Sequence, residues 1–320
     1  MISLENLKNV ILNAKRIGLS YHISPDGDAI GSLFALREAL IKLNKTVEIF
    51  SKDDLRRNIQ LKFLRNINNV TGENYKVTNS VDVLIILDCG NLERVSCECD
   101  FNKIITIGID HHISNDMYCT YNFIKHESSS TGEIVYDIIK YLNVEIDSNI
   151  SEYLYTSIMT DTGGLRFNST SQKTLNIVGD LISTGFDFGY IYERLFLSQT
   201  YSKVKLLGLV YNDLTIVDDK ICIAKITNKM LNETGVLDEQ LGDVVSICLT
   251  IENIEVSVLI KDYLGKTKVS LRSKNHINVC EIAQKFGGGG HVKAAAFTTE
   301  LKIDEIQKVL IEEIRKCYEL

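Results

Sequence analysis

A histidine and two aspartates lie close together near the start of the sequence, in the segment His22-Ile-Ser-Pro-Asp26-Gly-Asp28. The residues before it are typical of a short β-strand, and helical periodicity begins at Ala29, so the cluster is predicted at the carboxyl end of a strand. Open α/β sheets bind their ligands at that edge. Two carboxylates two residues apart suit adjacent metal ions. A Pro-Asp-Gly turn that caps the next helix is the alternative, and this segment alone does not decide between them.

Two later apolar segments end in side chains of the same kind. Val81-Asp-Val-Leu-Ile-Ile-Leu-Asp88 is nearly continuous in hydrophobic residues, as in a strand that is buried on both faces. A carboxylate at its end is costly to bury unless it is paired or holds a ligand. The strand-like segment from Ile104 to Ile109 ends in Asp110-His111-His112, a triplet that is rare by chance and rich in metal ligands.

A fourth aspartate-bearing segment, Met159-Thr-Asp161-Thr-Gly-Gly, ends a predicted helix and is by itself typical of a glycine-terminated helix. Together the four segments offer carboxylate oxygens and imidazole nitrogens, which suit manganese, or alternatively iron, cobalt or magnesium. Eight candidate ligands exceed what one ion uses, and two ions that share an aspartate are suited to phosphoester hydrolysis. The candidates are His22, Asp26, Asp28, Asp88, Asp110, His111, His112 and Asp161.

A fifth cluster lies near the C-terminus, where Ser270-Leu-Arg272-Ser273 is followed by Phe286-Gly-Gly-Gly-Gly290-His291. Glycines let main-chain amides approach an anion closely, and an arginine binds phosphate or carboxylate with two hydrogen bonds. A flexible turn beside a solvated arginine is the alternative, and it is the favoured one when this cluster is taken alone.

The elements that carry these residues predict an α/β fold. Strands predicted at 18–23, 46–50, 81–87, 104–109 and 120–124 are separated by helical or loop-like stretches, which indicates a parallel, helix-covered sheet. Helices are expected at 29–43, 130–142, 148–159 and 171–184, and a helical connector between Tyr190 and Ile216. After Lys220, strands at 221–226, 255–263 and 268–273 and a helix at 304–318 predict a second, smaller α/β domain. The predicted units are residues 1–190, a connector at 191–216, and residues 217–320.

Composition narrows the function classes. The chain has 320 residues, 45% of them hydrophobic, and its net charge of −7 argues against a broad basic surface for long duplex nucleic acid. Its eight cysteines contain no CxxC pair, as expected of free thiols in a reducing compartment. We expect a cytoplasmic protein that does not bind membranes, because no apolar run is long enough to span a bilayer and no signal pattern is present.

The motifs His22-x-x-Pro-Asp26-x-Asp28, Asp88, Asp110-His111-His112 and Asp161 resemble, in order and spacing, those of the DHH phosphoesterase family. The segment from Gly288 to His291 is similar to the signature of the DHH-associated C-terminal domain. The resemblance covers essentially the whole chain and implies an active site in the cleft between two domains. In size, the chain most resembles the branch of nano-RNases that also act as phosphatases of 3′-phosphoadenosine 5′-phosphate (pAp).

The resemblance implies a role for each site residue. His22 and Asp26 would hold one Mn²⁺; Asp28, His111 and Asp161 would hold the other, and Asp88 would bridge the two ions. Asp110 would support the cluster from behind, while His112 would contact the scissile phosphate. The implied nucleotide-binding residues of the second domain are Arg272, Ser273, Gly288, Gly289, Gly290 and His291. Ser130 and Thr131, at a predicted helix start, are further candidates for a phosphate contact.

The resemblance leaves several functions open. The first is manganese-dependent hydrolysis of short oligoribonucleotides and pAp, and the second is hydrolysis of cyclic or linear dinucleotides by the same chemistry. A long-substrate exonuclease and a pyrophosphatase are less favoured, and a nucleotide sensor without catalysis is the alternative from another class. Because family members often form dimers, a homodimer is a further expectation, although no stretch of the sequence identifies an interface.

Overall fold

The computed structural model describes residues 1–78, 81–237, 241–242 and 244–318. The chain divides into two units, Met1–Ser198 and Gln199–Leu320. The boundary falls inside the stretch 191–216 that the sequence predicts as the connector.

A five-stranded parallel sheet forms the centre of the N-terminal unit, with strand order β2-β1-β3-β4-β5. Strand β3 is buried on both faces because its alternate residues enter two different apolar clusters. Val83, Ile85 and Leu87 pack into the larger cluster, whereas Leu84 and Ile86 face the smaller one. The strands are β1 Arg16–Ser20, β2 Thr46–Ile49, β3 Val83–Leu87, β4 Ile105–Asp110 and β5 Tyr121–Ile124.

Six α-helices accompany this sheet: α1 Leu4–Asn13, α2 Gly27–Lys42, α3 Thr131–Tyr141, α4 Ser148–Asp161, α5 Gln172–Ser183 and α6 Phe188–Tyr192. Helix α2 is buried along most of its length and packs closely against α4, because glycines remove side chains from the contact. A Cβ atom at Gly31 would lie 2.4 Å from the carbonyl oxygen of Tyr153 in α4. This close approach places α4 beside the start of α2.

The C-terminal unit contains a mixed six-stranded sheet with order β10-β11-β9-β8-β7-β6. Its elements are α7 Tyr201–Asn212, β6 Thr215–Val217, β7 Ile221–Ile226, α8 Asn228–Thr234, β8 Val256–Tyr263, β9 Lys266–Ser273, α9 Val279–Gln284, β10 Gly289–His291, β11 Ala294–Thr299 and α10 Ile303–Lys316. The α/β fold class, with a parallel N-terminal sheet and a second, smaller α/β unit, is therefore confirmed.

The prediction that the chain is helical from Tyr190 to Ile216 is partly wrong. Helix α6 continues into a π-helical turn over Glu193–Leu197, and α7 ends at Asn212. Thr215 and Ile216 belong instead to β6, because they pair with Ile223 and Cys222 of β7. Among the described residues, no helix is both long and apolar enough to cross a membrane.

Candidate metal centre

Three neighbouring strands bring their carboxyl ends to one edge of the N-terminal sheet. His22 follows β1, Asp88 follows β3, and Asp110 is the last residue of β4, with His111 immediately after it. Because β1, β3 and β4 are parallel and adjacent, these side chains meet at the same edge. All of them except His111 are largely buried.

Two helices supply the remaining carboxylates. Asp26 is the N-cap of α2, where its Oδ1 accepts hydrogen bonds from the main-chain N–H groups of Asp28 and Ala29. Asp28 lies in the first turn of α2 and is completely buried. Asp161 is the last residue of α4. The two alternatives drawn from the sequence are therefore compatible. Asp26 caps α2, and its carboxylate also lies in a group of candidate metal ligands.

The side chains form three overlapping groups: one joins Asp88, Asp110, His111 and His112, and the other two are the candidate ion-binding groups. His22, Asp26 and Asp88 form one group, and Asp28, His111 and Asp161 form the other; within each, the ligand atoms lie within 4.8 Å of one another. Oδ2 of Asp88 is 3.5 Å from Nε2 of His22, and its Oδ1 is 3.7 Å from Nε2 of His111. Asp88 therefore faces both groups, one carboxylate oxygen toward each.

The imidazoles of both groups turn Nε2 toward the carboxylates and Nδ1 toward the main chain. Nδ1 lies 3.3 Å from the Ser128 carbonyl oxygen in His111, and 3.0 Å from that of Ile23 in His22. A proton on Nδ1 that is donated to a carbonyl leaves Nε2 free to bind a metal ion. The Arg94 guanidinium approaches Nδ1 of His22 to 3.1 Å and competes with the carbonyl for that nitrogen.

The carboxylates of the two groups crowd negative charge into a buried space. Within the described part of the chain, histidines are the only basic side chains within salt-bridge distance of Asp28, Asp88 and Asp161. Burial, reinforced by the neighbouring carboxylates, raises the pKa of Asp28 well above its usual value, and burial raises the pKa of Asp161 to about 6. A divalent cation relieves this repulsion, so the residues fit a metal site.

His22 responds to the same charges. Burial opposes the imidazolium, but the carboxylates of Asp26 and Asp88, at 3.9 and 3.5 Å from Nε2, outweigh it and raise the pKa of His22 to about 10.

Asp88 has an unusual backbone conformation, with φ = 54°. A non-glycine residue in this left-handed region is strained by about 1–3 kcal/mol and persists only where the surroundings hold it. Here the Asp88 amide donates to the Ile109 carbonyl at 2.9 Å, and its Oδ1 accepts from the Thr131 hydroxyl at 3.1 Å. The strain therefore lies at the residue that faces both ligand groups.

Asp28 is surrounded by donors that the sequence did not reveal. Main-chain N–H groups of Thr131 and Gly132, at the start of α3, donate to it at 2.8 and 3.1 Å. The Ser32 and Ser157 hydroxyls, from α2 and α4, also donate to Asp28. No local spacing could have identified Ser157, because it is 129 residues away along the chain.

Ser130 and Thr131 are both buried and engaged within the protein. The Ser130 hydroxyl accepts the N–H of Glu133 as the N-cap of α3, and the Thr131 hydroxyl donates to Asp88. The first contact fixes the start of α3, and the second orients the Asp88 carboxylate in the candidate metal centre. Direct contact of either residue with a phosphate stays a prediction.

Asp110 is buried, and its carboxylate contacts His112, the second histidine of the triplet. Its Oδ1 lies 2.6 Å from Nδ1 of His112 and accepts the main-chain N–H of His111 at 2.8 Å, while its Oδ2 accepts from Nδ2 of Asn115 at 2.6 Å. Although burial opposes ionisation, the hydrogen bond to His112 keeps the pKa of Asp110 below its usual value, and the same bond raises the pKa of His112 to about 9. Asn115 was not predicted from the sequence.

Comparison with known proteins gives the same assignment as the motifs. The N-terminal domain of the DHH family matches residues 16–158, and the DHHA1 domain matches residues 218–316. The bifunctional oligoribonuclease and PAP phosphatase NrnA of Thermus thermophilus is 30% identical over 302 residues, which cover 94% of this chain and 89% of that protein. The chain belongs to the DHH family.

Two further proteins are similar to this chain over most of its length. The probable bifunctional oligoribonuclease and PAP phosphatase NrnA of Streptococcus mutans is 27% identical over 277 residues, 86% of each protein. The crystal structure of an exopolyphosphatase-related protein from Bacteroides fragilis superposes with a TM-score of 0.87 at 25% identity, over 98% of this chain and 95% of that one. The family resemblance predicted from the sequence is confirmed.

The DHHA1 domain brings the predicted nucleotide-binding residues to one end of its sheet. Arg272 on β9 pairs with Ala294 on β11, and Ala294 in turn pairs with His291 on β10. Arg272 is half-buried, His291 is exposed, and the Ser273 hydroxyl donates to the Ile277 carbonyl at 2.7 Å. The structure therefore aligns Arg272 and His291 across three strands.

The glycines before His291 allow β10 to lie close against β11. A Cβ atom at Gly288 would be 2.3 Å from the carbonyl oxygen of Ala296, and one at Gly290 would be 2.3 Å from that of Ala294. Gly290 has φ = 149°, which also disfavours a side chain. Gly289, between them, is exposed with no atom within 4 Å of a Cβ position. Gly288 and Gly290 are thus needed for the packing of β10 on β11, whereas no atom lies close to the position of a Cβ at Gly289.

Proposed function

We propose that this DHH-family chain hydrolyses phosphoester bonds in short oligoribonucleotides and in pAp, with two divalent metal ions. The observation that carries the proposal is the position of Asp88, whose two carboxylate oxygens face two separate groups of ligands. A shared aspartate between two sets of oxygen and nitrogen ligands is the arrangement expected for paired ions that act on one phosphate.

The proposed ligands follow these groups. His22 and Asp26 would hold one ion, Asp28, His111 and Asp161 would hold the second, and Asp88 would contribute a carboxylate oxygen to each. Mn²⁺ is the proposed metal because the donors are carboxylates and imidazoles without thiolates. Bound ions of this kind polarise phosphate oxygens and lower the pKa of water.

His112 and Asp110 act together on the phosphate in this proposal. The short contact to Asp110 fixes Nδ1 of His112, and 40% of the His112 side chain remains exposed. With a pKa of about 9, the ring is protonated at neutral pH and donates a charge-assisted hydrogen bond to a phosphate oxygen. His112 and Asp88 are the proposed catalytic residues, and Asp110 is the positioning residue.

The DHHA1 domain is proposed to bind the nucleotide. Arg272 supplies a guanidinium that pairs with phosphate, and the exposed main chain around Gly289 supplies N–H groups that a side chain does not shield. Ser273, Gly288, Gly290 and His291 complete the proposed set. The names of the Thermus and Streptococcus relatives, oligoribonuclease and PAP phosphatase, support RNA oligomers and pAp as the substrates.

Hydrolysis of a substrate panel by the purified protein in Mn²⁺ tests the proposal. The panel contains RNA dinucleotides to pentanucleotides, pAp, cyclic di-AMP and pyrophosphate. We expect short RNA and pAp to be the preferred substrates, and Asp88→Ala to lower kcat/KM for both by at least about 1000-fold, because it removes the shared ligand.

The matched control is Asp116→Ala, because Asp116 is exposed in the loop after the Asp-His-His triplet and belongs to neither ligand group. We expect this variant to keep wild-type activity. Dominant turnover of cyclic di-AMP or pyrophosphate, or an Asp88→Ala variant within tenfold of the wild type, would contradict the proposal.

A further inference from the structure

The loop that follows Asp88 folds back along His22. Val95 forms an antiparallel bridge with His22, and the carbonyl oxygen of Arg94 accepts the N–H of Ile23 at 2.6 Å. These contacts fix the main chain of Arg94 directly beside one of the two candidate ion-binding groups.

The Arg94 side chain reaches the imidazole of His22 and remains exposed. One guanidinium nitrogen lies 3.1 Å from Nδ1 of His22. Within the described part of the chain, no carboxylate is within salt-bridge distance of Arg94. In contrast, three other arginines of the same unit each pair with an aspartate or glutamate, at 2.5 to 2.7 Å: Arg37, Arg56 and Arg65. Arg94 therefore brings a positive charge without an acidic partner to the edge of the candidate metal centre.

Metal binding by His22 would end its hydrogen bond with Arg94. Nε2 of His22 faces Asp26 and Asp88, so Nδ1 is on the side of the ring away from these carboxylates. An imidazole that binds a metal ion through Nε2 carries its proton on Nδ1, and a protonated Nδ1 cannot accept a hydrogen bond. The N–H groups of Arg94 are then available to an anion.

The position of Arg94 relative to the ligand atoms indicates which anion this is. The guanidinium contacts the Nδ1 side of His22, whereas the candidate ligand atoms lie on the Nε2 side. In the proposed function, the phosphate that is hydrolysed is held on the Nε2 side. A second phosphate of the same substrate, farther along the sugar, is the anion that Arg94 can bind without displacing a ligand.

We propose that Arg94 is a substrate-binding residue that pairs with the phosphate next to the one that is hydrolysed. Arginine suits this role because its planar guanidinium forms two charge-assisted hydrogen bonds to one phosphate. This inference rests on the proposed function and extends it to a substrate class: nucleotides with two neighbouring phosphates, which include pAp and 5′-phosphorylated oligoribonucleotides.

Two RNA dinucleotides test the proposal, because ApA and its 5′-phosphorylated form pApA share the phosphodiester bond and differ by one phosphate. We expect the wild-type protein in Mn²⁺ to have the higher kcat/KM for pApA, mainly through a lower KM. Arg94→Ala should lower the ratio of kcat/KM for pApA to that for ApA by about tenfold, because it removes a charge-assisted pair of hydrogen bonds. Arg94→Lys keeps the charge and should retain part of the preference.

Calorimetric titration with Mn²⁺ separates this role from support of the metal centre. Arg94→Ala should still bind two ions per chain, because Arg94 is not a ligand in either group. Arg16→Ala is the matched control, since Arg16 is exposed at the first position of β1, and His22 follows the other end of that strand. It removes the same charge and should leave the ratio unchanged.

Three results would overturn the role of Arg94 and leave the proposed function standing. They are a wild-type protein without preference for pApA, an equal change of the ratio in Arg94→Ala and Arg16→Ala, and loss of a bound ion from Arg94→Ala. Failure of the wild-type protein to hydrolyse either dinucleotide would overturn both.

Discussion

Asn115 holds Asp110 from the side opposite His112. Its Nδ2 donates to Oδ2 of Asp110 at 2.6 Å and lies 3.3 Å from the carbonyl oxygen of Cys89, while its own Oδ1 accepts the N–H of Met117. Both oxygens of the Asp110 carboxylate therefore have fixed partners, and the orientation of the His112 ring depends on them. Asn115 acts through Asp110 and is a positioning residue in this account.

We predict that Asn115→Ala lowers kcat for short RNA about tenfold while the protein still binds two metal ions. The reason is that loss of a hydrogen bond to a charged, buried carboxylate costs about 1–3 kcal/mol and releases the ring that contacts phosphate. Steady-state kinetics and metal content by elemental analysis check this prediction. Asn68→Ala, at an exposed asparagine, is the control. An equal fall in kcat and in bound metal would show that Asn115 stabilises the whole metal site and does not act through the orientation of His112.

The contact between α2 and α4 determines whether Ser157 reaches Asp28. A Cβ atom at Gly31 would lie 2.8 Å from the Ser157 amide nitrogen as well as close to the Tyr153 carbonyl, and one at Gly132 of α3 would collide with the Ser157 hydroxyl at 1.9 Å. Glycines at these helix positions lower intrinsic helix propensity by about 1 kcal/mol each relative to alanine. Their presence is explained by the close approach of three helices around Asp28.

We predict that Gly31→Ala lowers the free energy of unfolding by about 1–3 kcal/mol, because overpacking at the α2–α4 contact outweighs the gain in helix propensity. Gly179→Ala on α5 is the matched control, since no atom lies within 4 Å of its Cβ position; that substitution should stabilise the protein by up to about 1 kcal/mol. Urea unfolding of both variants checks the pair. A Gly31→Ala variant as stable as Gly179→Ala would contradict the account of this contact.

The parts of the fold that local patterns could predict are the strands and the motif residues at their ends. The apolar runs before Asp88 and Asp110 predicted β3 and β4 to within two residues at each end. In contrast, the π-helical turn over Glu193–Leu197 has the same local pattern as an α-helix, and β6 depends on pairing with β7. The Ser157 contact to Asp28 joins distant segments through helix packing, so residue spacing carries no signal of it.

Binding of divalent cations would explain why a chain with a net charge of −7 concentrates buried carboxylates at one sheet edge. Without metal, His22 carries a proton at neutral pH because its pKa is raised to about 10, and Asp161, with a pKa of about 6, takes up a proton as the pH falls. Metal ligands must be deprotonated, so metal binding releases these protons. Affinity for metal is therefore expected to rise between pH 6 and pH 8.

Calorimetric titration of the metal-free protein with Mn²⁺, in two buffers of different ionisation enthalpy, shows whether Asp88 joins two metal positions. We predict two ions bound per chain, net proton release at pH 7, and tighter binding at pH 8 than at pH 6. Asp88→Ala should lose high-affinity binding at both positions, because its carboxylate faces both ligand groups. One ion per chain in the wild-type protein, or binding without proton exchange, would contradict the claim that Asp88 joins two metal positions.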